Sequence, residues 1–364
     1  MNRRKFLQSS AAAAAAQALP WSVAHAAAEQ GWRTFETVTR VRVADPFGVA
    51  RAWVPLPLPI DTDWHRTLGN AWSGNARRAD VLRDPRYGTT TTMLYAEWPE
   101  KEMNPVLEVT SRFMTRDRAV DLRARRAGED LTESERRFYT APTEMIPTDG
   151  IVRETALKIT RGAGDDVEKA RAVYEWIVDN TFRDPKVKGC GWGDIKSMLE
   201  TGHLGGKCGD LNALFVGLAR AVGVPARDVY GVRVAASRHG YRSMGIGSPN
   251  ASKAQHCRAE FFARGIGWVP VDPADVRKVV LEEPPGNLAM NDPKVVAARK
   301  RLFGSWEMNW LAYNMGHDVR LPHATRPTRL PYLMYTNAEA DGEMRDQLDP
   351  ASLRYEITAR EITV

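Results

Sequence analysis

Gly205-Gly206-Lys207-Cys208-Gly209-Asp210-Leu211 is the stretch on which the reading of this chain turns, because it carries a thiol out of a loop of small residues and into a helix. The helix declares itself by its period. Leu211, Leu214, Phe215, Leu218 and Val222 recur at three- and four-residue steps, which gives one apolar face to pack inward. Gly223 suits a left-handed cap, and Pro225 cannot continue the helix. Cys208 therefore opens the helix, where unpaired N–H groups and the helix dipole favour negative charge and lower a thiol's pKa toward the thiolate. Lys207 adds a neighbouring positive charge.

A thiolate needs a base and a group to orient that base. Downstream, Gln255-His256-Cys257-Arg258-Ala259-Glu260-Phe261-Phe262 alternates, placing His256, Arg258 and Glu260 on one strand face and Cys257, Ala259 and Phe261 on the other. A turn at Arg264-Gly265-Ile266-Gly267 leads into Trp268-Val269-Pro270-Val271-Asp272-Pro273, a second short strand ending in a carboxylate. Pro273 biases Asp272 toward an extended backbone. On adjacent antiparallel strands Asp272 is expected to accept the Nδ1 proton of His256, with the other ring nitrogen facing Cys208. His239 is a rival base without a carboxylate at strand spacing.

These three segments resemble the transglutaminase-like superfamily of cysteine enzymes, especially its bacterial members, over about residues 150 to 285. The resemblance implies an α+β, papain-like core with the Cys helix packed on an antiparallel sheet. It also implies Cys208 as nucleophile, His256 as base and Asp272 as orienting carboxylate. Peptide or amide hydrolysis through a thioester is the activity it favours, making the chain a cysteine peptidase or amidase. Protein-glutamine cross-linking, or a non-catalytic binding module that keeps the fold, are the alternatives. The implied partner is a peptide or protein substrate, and no cofactor is called for.

Around the core, Gly189-Cys190-Gly191-Trp192-Gly193-Asp194 is glycine-rich enough for close backbone approach, so the N–H of Trp192 or Gly209 is a candidate oxyanion donor beside the amide of Cys208. A structural tryptophan closing the core is the competing reading. The long segment Ala236 to Gln255 reads as a loop and as one wall of the cleft. Trp192, Gly209, Tyr241 and Gln255 are thus the candidates for oxyanion or substrate contact, with Met244 beside Tyr241. Zinc is disfavoured, although Cys190, Cys208, His203, His256 and Cys257 could be gathered on paper, because no Cys-x-x-Cys pair occurs. The metal expectation is none. Cys190 and Cys257 are read either as a disulfide or as small buried residues.

The chain's 364 residues allow two or three domains, and 43% hydrophobic content is ordinary for a globular protein. Residues 1–26 carry Arg3-Arg4-Lys5-Phe6-Leu7, an alanine-rich run and Ala24-His25-Ala26, the pattern of a twin-arginine export signal, so a periplasmic location is expected. Cleavage there removes three of the six net positive charges, and no basic patch with interleaved aromatics points to nucleic acid. No later run reaches the roughly 18 apolar residues of a membrane span. Residues 30–116 alternate as strands, with Phe35, Thr37, Thr39, Val41 and Val43 on one face, and predict a β-sandwich-like N-terminal domain. Pro55, Pro57 and Pro59 predict an edge or an extended arm. Residues 117–150 read as a charged linker with a short helix, 151–285 as the catalytic core, and 286–364 as a C-terminal extension with a closing strand at Leu353 to Arg360. Asp165-Asp166 caps a helix carrying Val167, Ala170, Tyr174 and Ile177 inward. Arg277 to Leu281 is expected to continue as a strand. Oligomeric state is not legible.

Overall fold

A computed structural model of the chain describes residues 31–124 and 130–362. The expected export signal at 1–26 lies outside the described residues. Burial alternates from Thr37 to Val43, and the strand Trp32–Val43 pairs on both sides, with Val106–Arg116 and with the closing strand Leu353–Ile362; His65–Gly74 pairs beyond Val106–Arg116. A second antiparallel sheet runs in the order Glu343–Met344, Asn337–Ala340, Ala50–Pro55, Thr92–Trp98, Arg78–Arg83. Val41, Val43, Leu107, Val109 and Leu353 of the first sheet share one apolar cluster with Ala52, Val54, Leu94 and Trp98 of the second. The expected sandwich is therefore present, and strands from the end of the chain complete both of its sheets. After Pro55 the chain leaves as an arm: Leu58, fully buried, donates its N–H to the Ala312 carbonyl at 2.8 Å and so reaches the core sheet.

That core sheet has the order Gly267–Val271, Gln255–Ala263, Ala226–Arg233, Trp310–Asn314, antiparallel throughout. The helix Cys208–Ala221 packs on it, and the helices Gly150–Ile159 and Asp166–Asn180 pack on that helix in turn. The expected Asp165 cap is made, its side chain accepting the Glu168 N–H at 2.8 Å. Every residue of Cys208–Ala221 is buried, which corrects the expectation of a single inward face. The large residues Leu211, Leu214, Phe215 and Leu218 made the stripe that the period revealed. The remaining surface is mostly small residues, against which other elements close: a Cβ on Gly217 would lie 2.1 Å from Ile195 Cδ1. Arg220, buried too, donates to the carbonyls of Ala226 at 2.9 Å and Ala141 at 3.0 Å.

Arg277 to Leu281 is helix rather than strand, within Pro273–Glu282. The β-branched Val276, Val279 and Val280 suggested a strand. Asp272 decides otherwise, capping the helix by accepting the Asp275 N–H at 3.0 Å, with Pro273 in the first turn where its missing donor is harmless. The Ala236 to Gln255 segment is irregular, as expected, and is tied down: Ala251 donates to the Ile357 carbonyl at 2.7 Å, and Ala359 to the Pro249 carbonyl at 2.8 Å. Among the described residues no helix is long and apolar enough to cross a membrane.

Candidate active site

The loop before the Cys helix is held by one carboxylate. Asp210 Oδ1 accepts the N–H groups of Trp192 at 3.0 Å and Gly193 at 2.9 Å, and Oδ2 accepts that of Lys207 at 2.9 Å. Gly191 makes this approach possible. Its φ is +89° and a Cβ there would lie 1.9 Å from Asp210 Oδ2, so only glycine fits. Gly209 donates its N–H to the Cys190 carbonyl at 2.7 Å. The backbone N–H groups of Trp192 and Gly209 are therefore engaged within the loop and not aimed at an incoming oxyanion. The amide of Cys208 itself, in the first turn, remains the donor nearest the thiol. The Trp192 side chain is 67% exposed, so it does not close the core.

The structure brings Cys208, His256 and Asp272 together in a buried site, with relative exposures of 4%, 3% and 0%. His256 Nε2 lies 2.7 Å from Asp272 Oδ2 and 3.5 Å from Asp275 Oδ1. The sequence expectation had these nitrogens reversed: Asp272 takes Nε2, which leaves Nδ1 for the thiol. Hydrogen bonding from Cys190, then from Cys257, holds the Cys208 thiol well below its ordinary range; burial opposes this, and a hydrogen bond and charge from His256 add to the lowering. Cys190 and Cys257 are pushed well up, Cys190 chiefly by its hydrogen bond to Cys208 and Cys257 chiefly by burial. Burial alone would lower the His256 pKa, but the charges of Asp275 and Asp272 outweigh it and the nearby Arg233, and the net shift is upward. Both shifts run toward the charged forms, thiolate for Cys208 and imidazolium for His256.

Sequence reasoning missed several contributors. Arg233 clamps Asp275 with two bonds from Nη2, at 2.6 and 2.7 Å, and Asp275 is held below the usual carboxylate range against the cost of burial. The spacing Asp272-Pro273-Ala274-Asp275 is itself a helix-start signal that could have revealed both the cap and the second carboxylate. Three tyrosines arrive from the end of the chain, with no local motif to announce them. The Tyr332 hydroxyl donates to the Gly191 carbonyl, Tyr335 lies beside Cys190, and the Tyr355 hydroxyl lies 3.5 Å from Gln255 Nε2.

Gln255 thus points its amide at Tyr355, and its carbonyl oxygen lies 3.4 Å from Cys190 Sγ. Tyr241 is 6% exposed with its hydroxyl donating to the Lys294 carbonyl at 3.0 Å, so it is packed into the core and not open to substrate; Met244 is buried with it. All three cysteines are free thiols and buried, so the disulfide alternative gives way to that of small buried residues. His239 lies 3.7 Å from Asp117, and His203 pairs with Asp184 at the surface, so neither belongs to this cluster. His256, Asp272 and Asp275 are near enough for a metal, but Arg233 and backbone or amide N–H donors already occupy the carboxylates.

A Cys helix laid on an antiparallel sheet that carries His and delivers Asp is the papain-like α+β arrangement. Residues 153–273 match the transglutaminase-like superfamily. The chain therefore carries a transglutaminase-like domain over those residues. An uncharacterized protein of Haemophilus influenzae is 36% identical over 330 residues, spanning 86% of this chain and 87% of its own length. The crystal structure of a candidate cysteine protease from Cytophaga hutchinsonii is similar in fold, with a TM-score of 0.56 and 12% identity over 92% of each chain. The periplasmic domain of TgpA from Pseudomonas aeruginosa is more distant, with a TM-score of 0.35 and 14% identity over 68% of this chain and 88% of its own.

Proposed function

We propose that this protein is a cysteine-dependent acyl-transfer enzyme that hydrolyses peptide or amide bonds through a thioester. The observation that supports the reading is the 2.7 Å contact of His256 Nε2 with Asp272, beside a Cys208 thiol lowered toward its anion; in this reading Nδ1 serves that thiol. The Cys208 thiolate attacks the substrate carbonyl carbon, forming a C–S bond and sending the π electrons to oxygen. The Cys208 N–H and the helix start stabilise that oxyanion. The tetrahedral species collapses, expelling the amine, which takes the Nδ1 proton of His256. Water then attacks the thioester, giving its proton to Nδ1, and the thiolate departs. Asp272 stabilises the imidazolium while it is present and fixes the tautomer of the neutral ring between the two proton transfers.

The exposed Trp192, beside the loop that Asp210 holds, is read as a substrate contact on the rim, and residues 1–26 as an export signal that sends the chain to the periplasm. The test incubates the protein with a peptide library and a tagged primary amine and reads products by mass. Cleaved peptides that disappear with Cys208→Ala support the hydrolase. Tag incorporation without cleavage would replace it with cross-linking, and neither product would leave a binding module.

A further inference from the structure

We propose that Asn212 is a positioning residue of this site, fastening the nucleophile's helix to the elements that bring the base and its carboxylate. Asn212 follows Cys208 by four residues, so the two stand one above the other on the same helix face. It is fully buried. Its Nδ2 donates to the carbonyl of Cys257 at 2.9 Å and to Asp272 Oδ1 at 3.3 Å. Both partners are acceptors, which fixes the orientation of the amide with its NH2 toward them. The amide oxygen has no partner and is buried. A leucine of similar size would avoid that orphaned acceptor, so the side chain's value at this position lies in its two donated bonds.

Each bond acts on a different distance. Cys257 follows His256, so holding its carbonyl sets the His256 strand against the Cys helix and with it the spacing between imidazole and sulfur. Asp272 Oδ1 accepts two donors, the Asn212 amide and the Asp275 N–H at 3.0 Å, and together they stop the carboxylate from rotating. Oδ2 is thereby aimed at His256 Nε2. Without Asn212 one donor remains, and the carboxylate turns more freely. The charged groups around the imidazole, Asp275, Arg233 and Arg258 at 3.8 Å from Asp272, are otherwise unchanged, as are the neutral thiols of Cys190 and Cys257 around Cys208.

The inference rests on the reading of Cys208 as the nucleophile, so its test uses two readouts, one of which is independent of that reading. The first is the low-field proton resonance of the His256 ring N–H in histidine-labelled protein, which reports the bond to Asp272. The second is the pH dependence of Cys208 alkylation by iodoacetamide. Asn212→Leu is expected to broaden the ring resonance beyond detection and to raise the alkylation midpoint by about one pH unit, a tenfold loss of rate on the acidic side. Asn212→Asp keeps the shape and donates only while its new carboxyl is protonated, so the resonance returns as the pH falls. It also serves if the leucine variant does not fold. A ring resonance and alkylation profile unchanged in both variants would overturn the role, whatever happens to the melting temperature. An ordinary thiol midpoint in the wild type would instead overturn the proposed function, and the ring resonance would still decide the role of Asn212.

Discussion

Asp272→Asn separates two tasks that one carboxylate performs. Oδ1 accepts from the Asp275 N–H at 3.0 Å and from Asn212 at 3.3 Å, while Oδ2 faces His256 Nε2 at 2.7 Å. A carboxylate accepts on both sides, whereas an amide has one oxygen and one NH2. Placing the amide oxygen at Oδ1 keeps the helix cap, since asparagine caps about as well as aspartate. The NH2 then faces Nε2 and makes it the bare nitrogen. The proton moves to Nδ1, and the ring can no longer accept one from Cys208. Placing the oxygen at Oδ2 keeps the tautomer but turns the NH2 into two donors and loses the cap, at about 1 kcal/mol. Two donors against one favour the first arrangement. A triad in the wrong tautomer loses about 10⁴ in kcat, or about 5.5 kcal/mol of barrier lowering. The expected result is therefore a collapse of kcat on a peptide selected from the library, with the urea unfolding curve nearly unmoved. A variant that keeps both its kcat and its stability would refute the reasoning, because no placement of an amide serves both sides.

Other outcomes follow from the same contacts. Arg233→Ala leaves Asp275 charged and buried, at a cost of about 3–5 kcal/mol in chemical unfolding, and removes a charge that holds the His256 pKa down, so that pKa rises further by NMR titration. Gly191→Ala forces a side chain into Asp210 at a positive φ; loss of Cys208 alkylation at neutral pH, with the core helices retained by circular dichroism, is the expected reading. The two shifted groups give stability opposite slopes with pH. The lowered Cys208 contributes fully above roughly 8.5 and loses its contribution as the pH falls through its folded value, whereas the raised His256 contributes below roughly 6.5 and fades as the pH rises through its own. Cys208→Ala should therefore lack the stability that the wild type gains as the pH rises toward 8.5, as followed by urea unfolding.

Much of this architecture was legible because its signals are local. Period-two burial from Thr37 to Val43 and the stripe on the Cys helix report the sandwich and the core directly, and the order of Cys208, His256 and Asp272 carries the site. What was hidden depends on who lies opposite. One apolar stripe cannot show that Ala213, Gly217 and Ala219 will meet a second layer. Nor does a run of valines after Asp272 reveal that a helix cap will outweigh β-propensity. The ring nitrogen facing Asp272 is set by the approach of a helix cap that the strand reading did not include. Arg233 and the three tyrosines reach the cluster from sequence positions far from its motifs, and only the folded chain brings them there.

The most direct measurement is the rate at which iodoacetamide modifies Cys208, followed by peptide mapping from pH 5 to 10 in the wild type and in His256→Ala. A thiolate held by the neighbouring thiols and imidazole predicts rapid modification well below roughly 8.5 in the wild type and a midpoint moved upward once the imidazole is gone. Modification that begins only above that value, with the same profile in both proteins, would contradict the account.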